Sequence, residues 1–482
     1  MIKLYDTTLR DGVQREGMSI TLEDKLKIAG KLDDLGIHYI EGGYPGSNPK
    51  DKAFFHEAKK LGLKAVLVAF GSTRRPGGKA SSDQGLQALL AVETPVICLF
   101  GKSWDLHVKA VLRTDLDENL RMISDSIARL KKEGREVVFD AEHFFDAYKA
   151  NPKYTMETLK AAATAGADII TLCDTNGGSL PFEVSEIVAR VRSSINIPLG
   201  IHAHNDTGCA VANSLMAVKS GAVQVQGTIN GYGERCGNAN LTTLAADLVL
   251  KMGIRCLNPD QLKLLAESAH YVAEIANVSL DHHQPYVGQS AFAHKGGLHA
   301  DAVNKMSSTY EHIDPGLVGN IQRVLVSELA GKSTVTMKAK ELGIDLSQAP
   351  ETVREILTKV KDLENVGYHF EAADGSFEIL MRKATGTYKD FFKLESFRVI
   401  MEKREDGKVA TEATVKIHAR GRRIIATAEG NGPVNALDQA LRQVIREMYP
   451  AVKDIELRDY KVRVLNQKKG TGAVVRVLIE SG

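Results

Sequence analysis

The sequence predicts an α/β fold: a (β/α)8 TIM barrel, then helical linker subdomains and a C-terminal α+β regulatory domain. Three observations carry the barrel. From residue 1 to about 253, short β-branched runs alternate with segments whose apolar residues recur every three or four positions, the period of a helix. The runs number eight, matching the strand count and the roughly 250-residue length of a closed (β/α)8 barrel. Many helical segments close on glycine, at Gly36, Gly62, Gly134, Gly166 and Gly221, which suits a left-handed helix end before the next strand. A doubly wound open sheet is the alternative. It rarely holds eight such regular units, and no G-x-G-x-x-G follows the first strand.

In chain order the strands are expected at IKLYDTT (2–8), YIEGGY (39–44), KAVLVAF (64–70), PVICLFG (95–101), EVVFDAE (136–142), DIITLCDT (168–175), LGIHAHN (199–205) and AVQVQGTI (222–229). Helical stretches such as LEDKLKIAGKLDDLG, DENLRMISDSIARLKKEG and ETLKAAATAGA lie between them. Chemistry in such barrels sits at the C-terminal ends of the strands. Polar residues gather there: Arg10, Asp11 and Gln14 after the first strand, Glu41 on the second, Asp140 and Glu142 on the fifth. Asp174 and Thr175 end the sixth, His202, His204, Asn205 and Asp206 the seventh, and Glu234, Arg235 and Asn238 follow the eighth.

His202 and His204 are two apart on a strand, so both imidazoles leave one face and converge at the barrel mouth. A single strand histidine is ordinarily a hydrogen-bonded core residue, but a His-x-His pair at a strand end reads as a metal site. Asp11, from the strand that neighbours the seventh and eighth in a closed barrel, adds a carboxylate. Nitrogen and oxygen ligands without thiolate suit a catalytic divalent ion, Mn2+, Mg2+, Zn2+ or Fe(II), with open positions. Asn238 either adds a carbonyl oxygen, orients a ligand or caps a loop. Arg10 is placed to stabilise an oxyanion, to pair with Glu41 or Glu142, or both. Glu142 is a base, an orienting group or an arginine partner. The Thr175 hydroxyl either holds a substrate carboxylate or makes a strand-end hydrogen bond.

Composition bounds the partners. The 482 residues are 43% hydrophobic and 25% charged, and 62 Lys plus Arg against 60 Asp plus Glu leave a net charge of +2. This balance excludes long disorder and argues against a nucleic-acid backbone as main partner, while a local basic pocket for a phosphate-bearing ligand stays open. The opening MIKLYDTTLRDG has no apolar stretch and no run approaches the roughly 20 residues of a membrane helix, so neither a secretory signal nor a membrane is expected. Cys98, Cys173, Cys209, Cys236 and Cys256 are scattered without Cys-x-x-Cys pairs. They fit reduced thiols in a cytoplasmic protein.

Domains are expected at 1–253 for the catalytic barrel, 254–389 for the helical linkers and 390–482 for the C-terminal domain. Helices are read at 259–277 and 349–367. From about 390 the pattern turns to strands SFRVIMEK, ATVKIHA and RRIIATAEG, the helix VNALDQALRQVIREMY, and strands IELRDYKVRVLN and AVVRVLIES. The loop EGNGP exposes backbone N–H groups before that helix, able to hold a carboxylate or only to turn tightly.

Four segments, DTTLRDGVQ (6–14), HAHND (202–206), NGYGERCGNAN (230–240) and FAHKGGLHADAV (292–303), resemble the signatures of the isopropylmalate, homocitrate and citramalate synthase family, in the family's order. EGGYPGSNPKD (41–51), AFGSTRR (69–75), FGKSWDLHV (100–108) and the segment 310–333 look most like its citramalate-forming bacterial branch. The resemblance spans essentially the whole chain. It implies a Claisen condensation of acetyl-CoA, as co-substrate, with a 2-oxo acid, pyruvate in this branch, followed by thioester hydrolysis. It implies Asp11, His202 and His204 as ligands of a divalent metal ion, with Asn238 a weaker or supporting one. Arg10 would face the keto oxygen and Thr175 the 2-oxo acid carboxylate. Glu142, His299 and Tyr310 match positions implicated in proton transfer or in placing the acetyl group and water, His299 from a segment beyond the barrel. The C-terminal domain resembles the family's regulatory domain, implying a homodimer inhibited by isoleucine.

Competing readings are a sister synthase taking the bulkier 2-oxoisovalerate or 2-oxoglutarate, a metal-dependent carbon-carbon lyase or aldolase, an Fe(II) oxygenase, and an amino-acid-binding regulator on an inactive barrel. Between sister synthases the choice is one of pocket volume, for which Phe70, Phe100 and Asp140 are candidate walls.

Overall fold

A computed structural model describes residues 1–326, 331–346, 349–370, 373–403, 405, 407–465 and 467–482. Eight parallel strands close into a barrel in sequential order, with β1 bonded to both β2 and β8. They are β1 (Lys3–Asp6), β2 (Tyr39–Gly43), β3 (Val66–Ser72), β4 (Val96–Lys102), β5 (Glu136–Glu142), β6 (Ile169–Asp174), β7 (Leu199–Ala203) and β8 (Gln224–Gly227). Every expected strand is present, and the barrel reading holds. The first strand is short, because the Asp6 carboxylate accepts from both the amide and the hydroxyl of Thr8 and turns the chain there. β7 stops at Ala203, after which His204 bridges to Asn238.

The strands are buried on both faces, as parallel strands under helices must be. Leu4, Ile40, Ala69, Ile97, Leu99, Val137, Phe139, Leu172, Ile201 and Val225 pack outward in the large core shared with the helices. Tyr5, Val68, Val96, Cys98, Val138 and Ile169 point inward and fill the barrel. Each fully buried Leu, Ile, Val or Phe contributes about 1.5–3 kcal/mol. The helices start on side-chain caps: Thr21 with Asp24 forms a capping box for Leu22–Leu35, and Asp115 caps Leu116–Lys132. The five glycines read as helix ends all have positive φ, between 63° and 109°.

By its contacts the chain divides into two compact units, Met1–Ala293 with Glu311–Arg323, and His294–Tyr310 with Val324–Gly482. In the first, the stretch read as one helix over 259–277 is two, Pro259–Leu262 and Leu265–Ile275. The break falls where the Lys263 carbonyl meets Gly319, a position whose added Cβ would lie 1.9 Å from that oxygen. The second unit has a helical part, Lys332–Glu341, Pro350–Asn365 and Asp374–Ala384, around Val335, Ile356, Val360, Phe377 and Met381. It continues into an antiparallel sheet of β9 (Lys393–Lys403), β10 (Val409–Ala419) and β11 (Arg422–Gly430). Helix Pro433–Met448 covers Val415 and Ile417 of this sheet with Ala440 and Val444. A hairpin follows, β12 (Leu457–Val464) with β13 (Val475–Ser481). In the EGNGP loop the Asn431 amide donates to the Asn435 side chain, so one of its N–H groups is already taken. Ser327–Ala330 of the 310–333 segment and Asn466 of the expected strand 455–466 lie outside the described residues. Among the described residues no helix is long and apolar enough to cross a membrane.

Candidate active site and metal centre

The alternation of side chains along parallel strands decides which polar residues reach the barrel axis. On β4 through β8 the positions Phe100, Asp140, Glu142, Thr171, Cys173, His202 and Gln226 share the inward parity. Near the C-terminal ends of the strands a cavity of about 340 Å3 is lined by Arg10, Asp11, Gln14, Tyr44, Phe70, Phe100, Asp140, Glu142, Cys173, Thr175, His202, His204, Glu234 and Arg235. Two strand-end residues singled out in the sequence turn elsewhere, because their parity or loop position points them outward. Asp174 accepts from the amide and hydroxyl of Ser179, each at 3.1 Å, and Asn205 accepts from the Ala210 amide.

Asp11, His202 and His204 bring one ligand atom each to within 4.8 Å of one another. The two Nε2 atoms lie 3.4 and 3.7 Å from Asp11 Oδ2. All three residues are buried. Burial pushes His202 down to about 3 and lowers His204, so both rings are neutral near pH 7 and keep a lone pair for a ligand role. Burial pushes the other way on Asp11, yet the adjoining Arg10 guanidinium outweighs it and holds the carboxyl at about 2. The Asn238 amide nitrogen donates to the Tyr232 carbonyl at 3.1 Å. The donor set fits a divalent cation: two neutral imidazoles, an ionised carboxylate, and buried oxygens Asp11 Oδ1 and Asn238 Oδ1 that have no hydrogen-bond partner.

Arg10 is held on three sides. Its Nε donates to Glu41, its Nη1 to Asp11 Oδ2 at 3.1 Å, and its guanidinium lies 3.9 Å from the Phe70 ring centre. Glu41 is fully buried and takes a second bond from the Tyr5 hydroxyl at 2.6 Å. Burial raises its carboxyl, and Arg10 counters it. Of the two carboxylates that sequence offered to Arg10, Glu41 is the one used, while Glu142 pairs with Lys102. Thr175 Oγ1 accepts from the His143 amide at 2.8 Å, leaving its own hydroxyl proton free to donate. Arg235 donates to the Thr175 carbonyl and to Asp206. Phe70 and Phe100 stack with centroids 5.2 Å apart and Tyr44 meets Phe70 edge-on, forming an apolar wall. Asp140 borders the cavity, with burial, and then Glu41, pushing its carboxyl up to about 7.

His299 and Tyr310 belong to the second unit, where their rings stack with centroids 4.2 Å apart and both side chains are exposed. The structure thus places Arg10, Asp11, Glu142, Thr175, His202 and His204 on one cavity with Asn238 beside it, and pairs His299 with Tyr310. Sequence reasoning missed Tyr5, Tyr44 and Gln226. Tyr5 and Gln226 were legible by parity, two positions from interior neighbours, but a lone polar residue mid-strand carries no chemical signature.

A barrel with this constellation at its C-terminal mouth belongs to a recognisable class. Residues 1–267 match the HMGL-like family model, residues 286–367 the homocitrate synthase post-HMGL domain-like model, and residues 371–482 the LeuA allosteric (dimerisation) domain. An HMG-CoA lyase structure from Bacillus subtilis shares the fold, with a TM-score of 0.50 at 19% identity, covering 58% of this chain and 95% of that one. Full-length relatives are more specific. An (R)-citramalate synthase of Geobacter sulfurreducens is 55% identical over 100% of this chain and 92% of its own. Those of Aquifex aeolicus and Sulfolobus acidocaldarius are 53% and 46% identical, over 100% and 99% of this chain and 92% and 90% of theirs. The chain belongs to the HMGL-like family and, within it, to the group that these (R)-citramalate synthases form.

Proposed function

We propose that the protein is an (R)-citramalate synthase, an acyltransferase that condenses acetyl-CoA with pyruvate and releases citramalate and CoA. The observation that carries this reading is the end-to-end match to five (R)-citramalate synthases at 46–55% identity. Asp11, His202 and His204 would hold a divalent ion, with Asn238 in support. When bound, such an ion supplies Lewis-acid polarisation of the 2-oxo acid's ketone. The chain's own groups do the rest. Arg10, fixed by Glu41, Asp11 and Phe70, presents its remaining N–H donors to the ketone oxygen as charge develops there. Thr175 donates its hydroxyl proton to the 2-oxo acid's carboxylate. Phe70 and Phe100 border the space for its methyl group and exclude water.

The acetyl methyl group is a very weak carbon acid, so a positioned base must take its proton as the new carbon–carbon bond forms at the ketone carbon. Glu142, His299 and Tyr310 are the groups assigned to that proton transfer and to placing the water that then splits the thioester. The C-terminal domain fits a homodimer with isoleucine as inhibitor, and the scattered thiols fit a cytoplasmic enzyme. CoA release from acetyl-CoA, measured against pyruvate, 2-oxoisovalerate and 2-oxoglutarate, tests the reading. Release with pyruvate above the other two is expected. Preference for a bulkier acid moves the protein to a sister synthase, and release with none of them refutes the synthase.

A further inference from the structure

We propose that Gln226 is a positioning residue for the metal centre: its side-chain amide fixes His202 as the Nδ1-protonated tautomer and so aims the Nε2 lone pair at the ion. Gln226 is fully buried on β8, in register with His202 on β7. Its Oε1 lies 3.1 Å from His202 Nδ1, and its Nε2 lies 3.0 Å from Asp140 Oδ1 and 3.1 Å from Thr171 Oγ1. The order of these contacts decides the proton. The amide nitrogen donates to the Asp140 oxygen, which leaves the amide oxygen facing His202. That oxygen can only accept, so Nδ1 of the imidazole carries the hydrogen. A neutral ring protonated at Nδ1 has its lone pair at Nε2, the atom that faces Asp11.

Packing shows why the amide can do this. Asp140 is on β5 and Thr171 on β6, so the Gln226 side chain crosses the barrel interior to reach them. The inward position on β7 below His202 is Gly200, where an added Cβ would lie 2.9 Å from Thr171 Oγ1 and 3.2 Å from Gln224 Oε1. Glycine there leaves room for the polar cross-member. His204 is held differently: its Nδ1 is buried with no hydrogen-bond partner. The two imidazoles are therefore not equivalent, one being set in advance by the protein and the other left to be aligned by the ion.

The inference rests on the reading of Asp11, His202 and His204 as metal ligands, and its test separates the two. Full-length protein carrying 15N-histidine is stripped of metal with chelator, and the His202 ring is identified by comparison with His202→Gln. The Nδ1-protonated pattern is expected in the metal-free protein; the Nε2-protonated tautomer overturns the proposal whatever metal does. Titration with Mn2+ alone then follows for the unaltered protein, Gln226→Leu and Gln226→Glu. Gln226→Leu, which removes the acceptor, should bind Mn2+ about 10–100-fold more weakly and show a mixed tautomer pattern. Gln226→Glu keeps an oxygen on His202 and should restore affinity to within about threefold. Gln226→Leu with unchanged affinity and pattern overturns the proposal. If the unaltered protein binds Mn2+ no better than Asp11→Asn, the metal reading itself fails, and the tautomer remains measurable.

Discussion

Replacing Arg10 by lysine keeps one positive charge in the cavity and removes the fork that places it. A guanidinium has five N–H donors. One is spent on Glu41 and one on Asp11, which leaves three for a substrate oxygen, in a plane fixed by stacking on Phe70. A lysine ammonium has three donors in all and no plane to stack. Satisfying Glu41 and Asp11 would draw it away from the ketone and leave one donor without a set direction. Losing one preorganised donor to a developing oxyanion costs about 2.7–4 kcal/mol, or about 10²–10³ in kcat. Arg10→Lys is therefore expected to lower kcat for citramalate formation by about that factor, followed as CoA release at saturating acetyl-CoA, with a smaller change in KM for pyruvate. Thermal unfolding serves as control, since Glu41 stays opposite a cation. A kcat within about threefold of the parent, in a folded protein, would refute the assignment of Arg10 to the transition state.

Three further outcomes follow from the buried charges and the apolar wall. Burial raises Asp6 to about 7 against the hydrogen bonds from Thr8. A carboxyl higher in the folded than in the unfolded chain, about 3.9 there, adds stability below about pH 4 and loses it as pH rises through about 7. Asp6→Asn does not titrate, so its urea midpoint should rise relative to the parent between pH 5 and 8; a constant gap would count against the burial argument. Lys25 is 2% exposed and pairs with Asp51, whose other oxygen accepts from the Tyr44 amide at 2.9 Å. Lys25→Met should cost about 3–5 kcal/mol in urea unfolding because it strands a buried carboxylate, and a loss under about 1 kcal/mol would contradict that. Phe100→Ala cuts back the apolar wall and enlarges the cavity, and should raise kcat/KM for 2-oxoisovalerate relative to pyruvate by about 10–100-fold, from about 1–3 kcal/mol per methylene accommodated; an unchanged ratio would show that the ring does not border the methyl group.

The parts of this molecule that are legible in sequence are those governed by local periodicity. Alternation along β5 is enough to put Val138, Asp140 and Glu142 on one face, and the spacing of His202 and His204 is enough to put both rings at one mouth. The partners across the barrel are not legible, because they depend on which inward side chains meet over a closed sheet. Arg10 could have paired with Glu41 or Glu142, residues of equal charge and equal parity. The structure gives it Glu41 because β2 adjoins β1, while Glu142 on β5 finds Lys102 on the neighbouring β4, its partner in register. The same rule explains the difference between Asp140 and Asp11. Asp140 has the chemistry of a ligand and the correct parity, yet its Oδ1 is engaged by Gln226, and burial lifts its carboxyl to about 7 where no cation faces it directly. Asp11 sits beside Arg10 and is held at about 2. Two aspartates of the same residue type are thereby divided into a strut whose carboxyl is raised by burial and bonded to an amide from a strand remote in the chain, and an ionised candidate ligand held low by the guanidinium of the residue next to it.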